Sequence, residues 1–284
     1  MATVGRQRRP KVGREVAATA RVHTGARRWA ATAALALCAV TALGTACARG
    51  APRTAGTGAA VPPALYRVAT SRPAVALTYD DGPRAGPGGT EAIVALLKAN
   101  GAHATFFVLG EEVARHPEVV RAAARAGMEI ENHADRHLHL PGLGEAALRR
   151  AVAGGADAVE RTVGRRPHWL RPPYGALSPR VRRVAHDLGE RVVLWSTDTR
   201  DWTNPGSGAI VRRVLGRLRP GDIVLMHDGG ADRSQTVEAT RQLLPALRAR
   251  GYEMLTLDEL VAAGRAHPTP AAGSATGAAP RPRR

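Results

Sequence analysis

Five short polar clusters in this sequence hold side chains suited to acid–base and metal chemistry. Asp80 and Asp81 stand side by side in Leu77-Thr78-Tyr79-Asp80-Asp81-Gly82-Pro83. Alone, that stretch reads as an Asp-rich turn. His133 and His137 lie four residues apart in Asn132-His133-Ala134-Asp135-Arg136-His137, a spacing that predicts two imidazoles on one face of a helical turn. Two neutral imidazoles and one carboxylate leave coordination positions open for water and substrate, as in a catalytic zinc site. In Arg171-Pro172-Pro173-Tyr174-Gly175 the prolines remove two amide donors and stiffen a turn. Such a turn can aim the Tyr174 N–H and the Arg171 guanidinium. Trp195, Asp198, Asp201 and Trp202 form the fourth cluster; indole faces stack on sugar C–H surfaces, and a carboxylate can orient an imidazole. The fifth is His227-Asp228, with a histidine suited to general acid catalysis. Each cluster taken singly has an ordinary structural explanation.

Their positions along the chain add weight. Short apolar runs predict strands over Ala74–Tyr79, Ala104–Val108, Met128–Asn132, His168–Arg171, Arg191–Trp195, Asp222–Met226 and Glu253–Thr256. Amphipathic segments between them predict helices over Glu91–Asn100, Pro117–Ala126, Glu145–Val163, Pro179–Leu188, Gly208–Leu218 and Val237–Arg250. Several are followed by glycine, the expected stop signal. Strand–helix alternation predicts parallel strands with crossover helices, in an α/β barrel or an open doubly wound sheet. Seven or so strands in a domain of this size suit a small barrel. In either architecture an active site forms at the strand C-terminal ends, and all five clusters directly follow expected strands.

Composition divides the chain into four parts. Residues 1–65 carry ten Lys+Arg and one acid, and residues 265–284 carry four Arg and no acid. The stretch 66–264, with 27 basic and 23 acidic residues, holds only +4 of the net +17. A nucleic-acid-binding protein needs its basic face on the folded domain, so that reading ranks last. Eight basic residues precede Trp29, and the run from Trp29 to Ala48 is uncharged. Residues 1–48 therefore read as a basic n-region and an apolar segment, which a cleaved export signal, an uncleaved anchor or lipid attachment at Cys47 would each explain. All three place the domain outside the cytoplasm, extracellular or on the cell surface. Residues 49–65 read as a Gly/Pro/Ala linker and 265–284 as a disordered basic tail. Both cysteines, Cys38 and Cys47, precede the domain. Any metal there must be held by histidine and carboxylate.

The five segments, in this order, resemble the motifs of the NodB-homology polysaccharide deacetylases, carbohydrate esterase family 4. The resemblance covers residues 74–228 and implies a distorted (β/α) barrel of about seven strands. It also implies a divalent metal, zinc first and cobalt or another ion as alternatives. Asp80 would be the catalytic base, and Asp81, His133 and His137 the metal ligands. Arg171 would position the base and the Tyr174 N–H would help hold the oxyanion. Asp201 would orient His227, the catalytic acid, while Trp195 and Leu225 would wall the acetyl pocket. The pattern departs at Ala134, where the family usually has Ser or Thr. A missing hydroxyl there implies a less supported loop and weaker metal affinity.

The resemblance implies hydrolysis of N-acetyl groups on GlcNAc- or MurNAc-type polymers, peptidoglycan or chitin-like, by a monomer whose partner is the polysaccharide. The same machinery would serve an O-acetyl esterase acting on xylan. A non-catalytic carbohydrate-binding module on this fold would need neither the base nor the acid.

Overall fold

The computed structural model describes residues 60–267. The leader, most of the linker and nearly all of the tail lie outside the described residues, and so do the expectations placed on them. No helix among the described residues is long and apolar enough to cross a membrane.

Strand β1 (Ala74–Gly82) is the axis of a parallel sheet. On one side follow β2 (Thr105–Val108), β3 (Glu129–Asn132), β4 (Trp169–Leu170) and β5 (Arg191–Val192). On the other lie β7 (Ile223–His227) and then β6 (Thr197–Asp198). A short β8 (Glu253–Leu255) meets only Ala74–Ala76, at the start of β1.

The fifth expected strand is divided. Arg191–Val192 pairs with β4, whereas Thr197–Asp198 pairs with β7. The two outer strands of the sheet are thus consecutive pieces of one segment, and the ring closes through that segment. Leu65, expected in the linker, lies along this seam. Its N–H donates to Val192 O at 2.9 Å, and its carbonyl accepts the Leu194 N–H at 2.8 Å. The architecture is the expected distorted (β/α) barrel, in eight short strand pieces.

Among the described residues eight α-helices surround it: α1 (Thr90–Ala99), α2 (Gly110–Arg115), α3 (Pro117–Arg125), α4 (Glu145–Val163), α5 (Pro179–Asp187), α6 (Ser207–Leu215), α7 (Ser234–Ala249) and α8 (Leu257–Ala266). Six fall on the expected segments. The unexpected α2 is too short to show a periodicity. The other addition, α8, opens with a capping box. The Thr256 side chain accepts the Glu259 N–H at 3.2 Å, and Glu259 accepts the Thr256 N–H at 2.8 Å. That Thr-x-x-Glu signal is legible in the sequence.

Strand alternation sorts β1 into two faces. Val75, Leu77 and Tyr79 join the apolar layer under the helices. Ala74 and Ala76 pack inside the barrel with Phe107, Trp169, Val193 and Ile223. Thr78 and Asp80 continue that inner row upward, so it changes from apolar to polar toward the strand C-terminal ends.

The start of the domain is fixed at the opposite end. Gly221 adopts φ +80°, donates its N–H to Ala74 O at 2.8 Å and accepts the Val68 N–H at 2.9 Å. A Cβ on Gly221 would overlap the Val68 carbonyl. Gly221→Ala should therefore lower stability by about 2–4 kcal/mol, from left-handed strain and the displaced segment. Urea unfolding measures this, and a loss within experimental error would contradict the account.

Candidate active site

The inner row of β1 ends at Asp80, whose Cα partner across the parallel pair is His227 of β7. Register alone thus sets these two groups side by side. In a regular strand Asp81 would point to the opposite face from Asp80. Instead the pairing with β2 slips between Asp80 and Gly82, and Asp81 takes φ 75°. This bulge turns the second carboxylate back toward the barrel mouth.

Asp80 is held by a fully buried guanidinium. Arg171, at the end of β4, donates Nη1 to Asp80 Oδ1 and to Thr78 Oγ1, each at 2.7 Å, and Nη2 to Leu194 O at 3.0 Å. Its Cζ lies 4.1 Å from the centroid of the Phe107 ring. The guanidinium therefore lies behind the pocket and reaches it only through Asp80.

His133 follows β3 and His137 follows four residues later, on a bent loop rather than the expected helical turn. Ala134, between them, has φ 70°, and this breaks the helical path. The two rings still converge, with centroids 5.5 Å apart. His133 Nδ1 lies 2.7 Å from Arg171 O; a carbonyl can only accept, so Nδ1 carries the proton and Nε2 presents a lone pair. That Nε2 and the Nε2 of His137 each lie 3.4 Å from Asp81 Oδ1. His133 Nε2 and Asp81 Oδ1 are buried without any hydrogen-bond partner. Buried polar atoms are rarely left so. Ligand atoms of Asp81, His133 and His137 all fall within 4.8 Å of one another, and these residues fit a divalent cation. Burial would raise the Asp81 carboxyl, but His133 above all, with His227 and His137, holds it well below its usual range. For His137, burial is the main cause of a lowered pKa.

Opposite stands His227. Its Nδ1 lies 2.7 Å from Asp201 Oδ1, and its backbone N–H donates to Asp201 Oδ2 at 2.8 Å. Thr236 of α7 donates to the same Oδ2 at 2.7 Å. Burial works against the imidazolium, yet the Asp201 hydrogen bond and charge, aided by Asp80 and Asp81, raise His227 above its ordinary pKa. Burial pushes Asp228, next in sequence, up to about 7. Its carboxylate accepts from Thr90, whose Oγ1 accepts the Arg84 N–H at 2.7 Å. Asp228 thus secures the turn beyond Asp81.

Eight of the ten residues to which the resemblance gives a site role line one cavity of about 400 Å³: Asp80, Asp81, His133, His137, Tyr174, Trp195, Leu225 and His227. Arg171 and Asp201 stand buried behind it. Asp198 and Trp202 complete the wall, Trp202 being half exposed. The Tyr174 ring packs edge-on against His137 at 4.3 Å, and its backbone has φ 62°. His139 lies exposed and outside the cavity.

A family model described as polysaccharide deacetylase matches residues 67–193. A peptidoglycan-N-acetylglucosamine deacetylase of Bacillus cereus is 39% identical over 198 residues, 69% of this chain and 92% of the relative. The chain belongs to the polysaccharide deacetylase family. A chitooligosaccharide deacetylase of a Bradyrhizobium strain is 38% identical over 66% of this chain and 90% of its own length. The structure of a peptidoglycan deacetylase from Bacillus subtilis superimposes with a TM-score of 0.63 at 32% identity, covering 69% of this chain and 93% of the other. The family match stops before Trp195, Asp201 and His227. In this deacetylase-family chain the register of β7 on β1 brings that second half of the site to the first.

Asn132 was not anticipated by sequence reasoning. Its Oδ1 accepts the Ala134 N–H at 2.8 Å, and its Nδ2 donates to Val152 O and the Glu190 carboxyl, both at 2.9 Å. The Ala134 carbonyl accepts the Gly110 N–H at 3.0 Å, and its side chain packs in an apolar cluster with Leu140 and Leu148. Backbone bonds to Asn132 and Gly110 therefore support the loop at Ala134. Asn132→Ala should weaken divalent-cation binding at these three residues about 10- to 100-fold, the usual cost of losing support behind a ligand. Competition against a chromogenic chelator measures this, and unchanged affinity would remove Asn132 from that role.

Proposed function

We propose that this protein removes N-acetyl groups from GlcNAc- or MurNAc-containing polysaccharide by metal-assisted hydrolysis, releasing acetate. One observation carries the proposal. Asp80 and His227 stand side by side as register partners, near three candidate ligand residues, of which Asp81 and His133 have buried donor atoms with no protein partner. A binding module needs no such pair of proton-transfer groups.

A divalent cation held by Asp81, His133 and His137, zinc best suiting that donor set, would polarise the acetyl carbonyl and acidify the attacking water. The chain's own groups do the rest. Asp80, held by Arg171 and outside the ligand set, takes a proton from that water as its oxygen bonds to the carbonyl carbon. Among the described residues no carbonyl accepts the Tyr174 N–H, which suits it to the developing oxyanion. Nδ1 of His227 is occupied by Asp201, so Nε2 supplies the proton to the leaving nitrogen. The C–N bond breaks, acetate departs with the water oxygen, and a free amino sugar remains. Trp195 and Leu225 confine the acetyl methyl. The exported location follows from arginines preceding an apolar run; N-terminal sequencing of the secreted form would separate a cleaved signal from a retained anchor.

Metal removal, substitution of the base and pH dependence test the chemistry, the first two directly. Acetate release should stop with chelator and return with zinc, and Asp80→Asn should lose roughly 10²- to 10⁴-fold in turnover while keeping its metal. Full activity in that variant would sink the base assignment. The third test concerns pH. His227 acts protonated, and Asp201 raises its pKa, so activity extends to higher pH than an ordinary histidine allows. Asp201→Asn removes that charge, and the alkaline limb of the rate profile should move to lower pH. An unmoved limb would show that another group sets it.

A further inference from the structure

Beside the catalytic pocket runs a second, larger hollow of about 900 Å³, along the seam between β6 and α6. It shares Trp195 and Asp198 with the catalytic pocket, so the two adjoin. Its walls carry four guanidinium groups, from Arg200, Arg212, Arg213 and Arg217. None of the four meets an acidic side chain among the described residues, whereas Arg149, Arg165, Arg166 and Arg183 elsewhere each do. Only Arg213 spends a guanidinium N–H on a protein acceptor, donating to Thr199 O at 2.5 Å. The single carboxylate in the wall, Asp198, accepts the Arg200 backbone N–H at 2.8 Å.

We propose that this groove binds carboxylates of the polymer being deacetylated, so that the enzyme selects peptidoglycan over neutral chito-oligosaccharide. The proposal rests on the deacetylase reading and names the substrate class within it. The guanidinium fork matches a carboxylate bidentately, which an ammonium cannot do. Peptidoglycan carries a lactyl-linked peptide with free carboxylates on every second sugar, so a strand seated in the pocket presents anions to an adjoining groove. Chito-oligosaccharides offer none and gain cationic amines as they are deacetylated, which four guanidiniums repel.

The test uses the full chain and two substrates: peptidoglycan stripped of phosphate-bearing polymers with hydrofluoric acid, and chito-oligosaccharide. The variants are Arg212→Gln/Arg217→Gln and its lysine counterpart. Exposed charge pairs are individually weak, so the glutamine variant should raise KM on peptidoglycan about three- to tenfold, with kcat nearly unchanged. Its initial-rate parameters on fully acetylated, neutral chito-oligosaccharide should match those of the unaltered protein, and the lysine variant should recover part of the loss on peptidoglycan. Equal losses on both substrates, or no change on peptidoglycan, would overturn the proposal. So would a loss seen only on walls that keep their phosphate polymers. Co-sedimentation with peptidoglycan and with chitin reads the groove independently of turnover. If neither substrate yields acetate, the deacetylase reading fails. Weaker sedimentation of the glutamine variant with peptidoglycan alone would still support the groove, and equal sedimentation would overturn it.

Discussion

The ion pair between Arg171 and Asp80 ties the fold to the chemistry. Both groups are buried, and a guanidinium inside a barrel is tolerated only when its charge and donors are met. Asp80, Thr78 and the Leu194 carbonyl meet most of them, and the Phe107 ring lies against its face. The same residue acts a second time through its backbone, since the Arg171 carbonyl fixes the His133 tautomer. One position at the end of β4 thus holds the proposed base with its side chain and a proposed metal ligand with its main chain. Removing the side chain would leave Asp80 as an unpaired buried charge, a far greater disturbance than losing one contact.

A division of labour between adjacent carboxylates follows from the backbone. The bulge at Asp81 lets two neighbours in a strand address the same cavity without sharing a role. Asp80 stays in the regular inward row and meets Arg171, while Asp81 is turned toward the two imidazoles. Asp81, Ala134 and Tyr174 all hold left-handed backbone at the mouth of the site. Such conformations cost on the order of 1–3 kcal/mol each, and the surrounding hydrogen bonds and packing must hold them. The barrel is most regular below the site and least regular at it.

Much of this was legible in the sequence, for a definite reason. Apolar runs and glycine stops report strands and helices locally, and in a parallel α/β fold chemistry must follow the strands. Asp80, His133, Arg171, Asp201 and His227 could therefore be found one segment at a time. What escaped has no local signature. Asn132 closes a strand like any polar residue, and its bonds to Ala134, Val152 and Glu190 exist only once α4 and α5 have packed. The split of 191–198 between two partners depends on ring closure, which no single segment encodes. The expected helical turn at His133 failed because Ala134 takes a backbone angle that composition does not announce. At α8 the capping signal is present, but its Thr256 falls at the end of the expected strand Glu253–Thr256 and the helix after it was not expected.

The joint that fixes the domain's beginning also ties it to the domain's end. Arg67 bridges to Asp222 at the foot of β7, and the Ser71 N–H donates to the His267 carbonyl at 2.9 Å. The first and last stretches of the described chain meet at the blind end of the barrel, away from the mouth. Loosening this joint would free the stretch around Arg67–Ser71 and the end of α8 together, while the hydrogen bonds that hold Asp80, His133 and His227 would stay made.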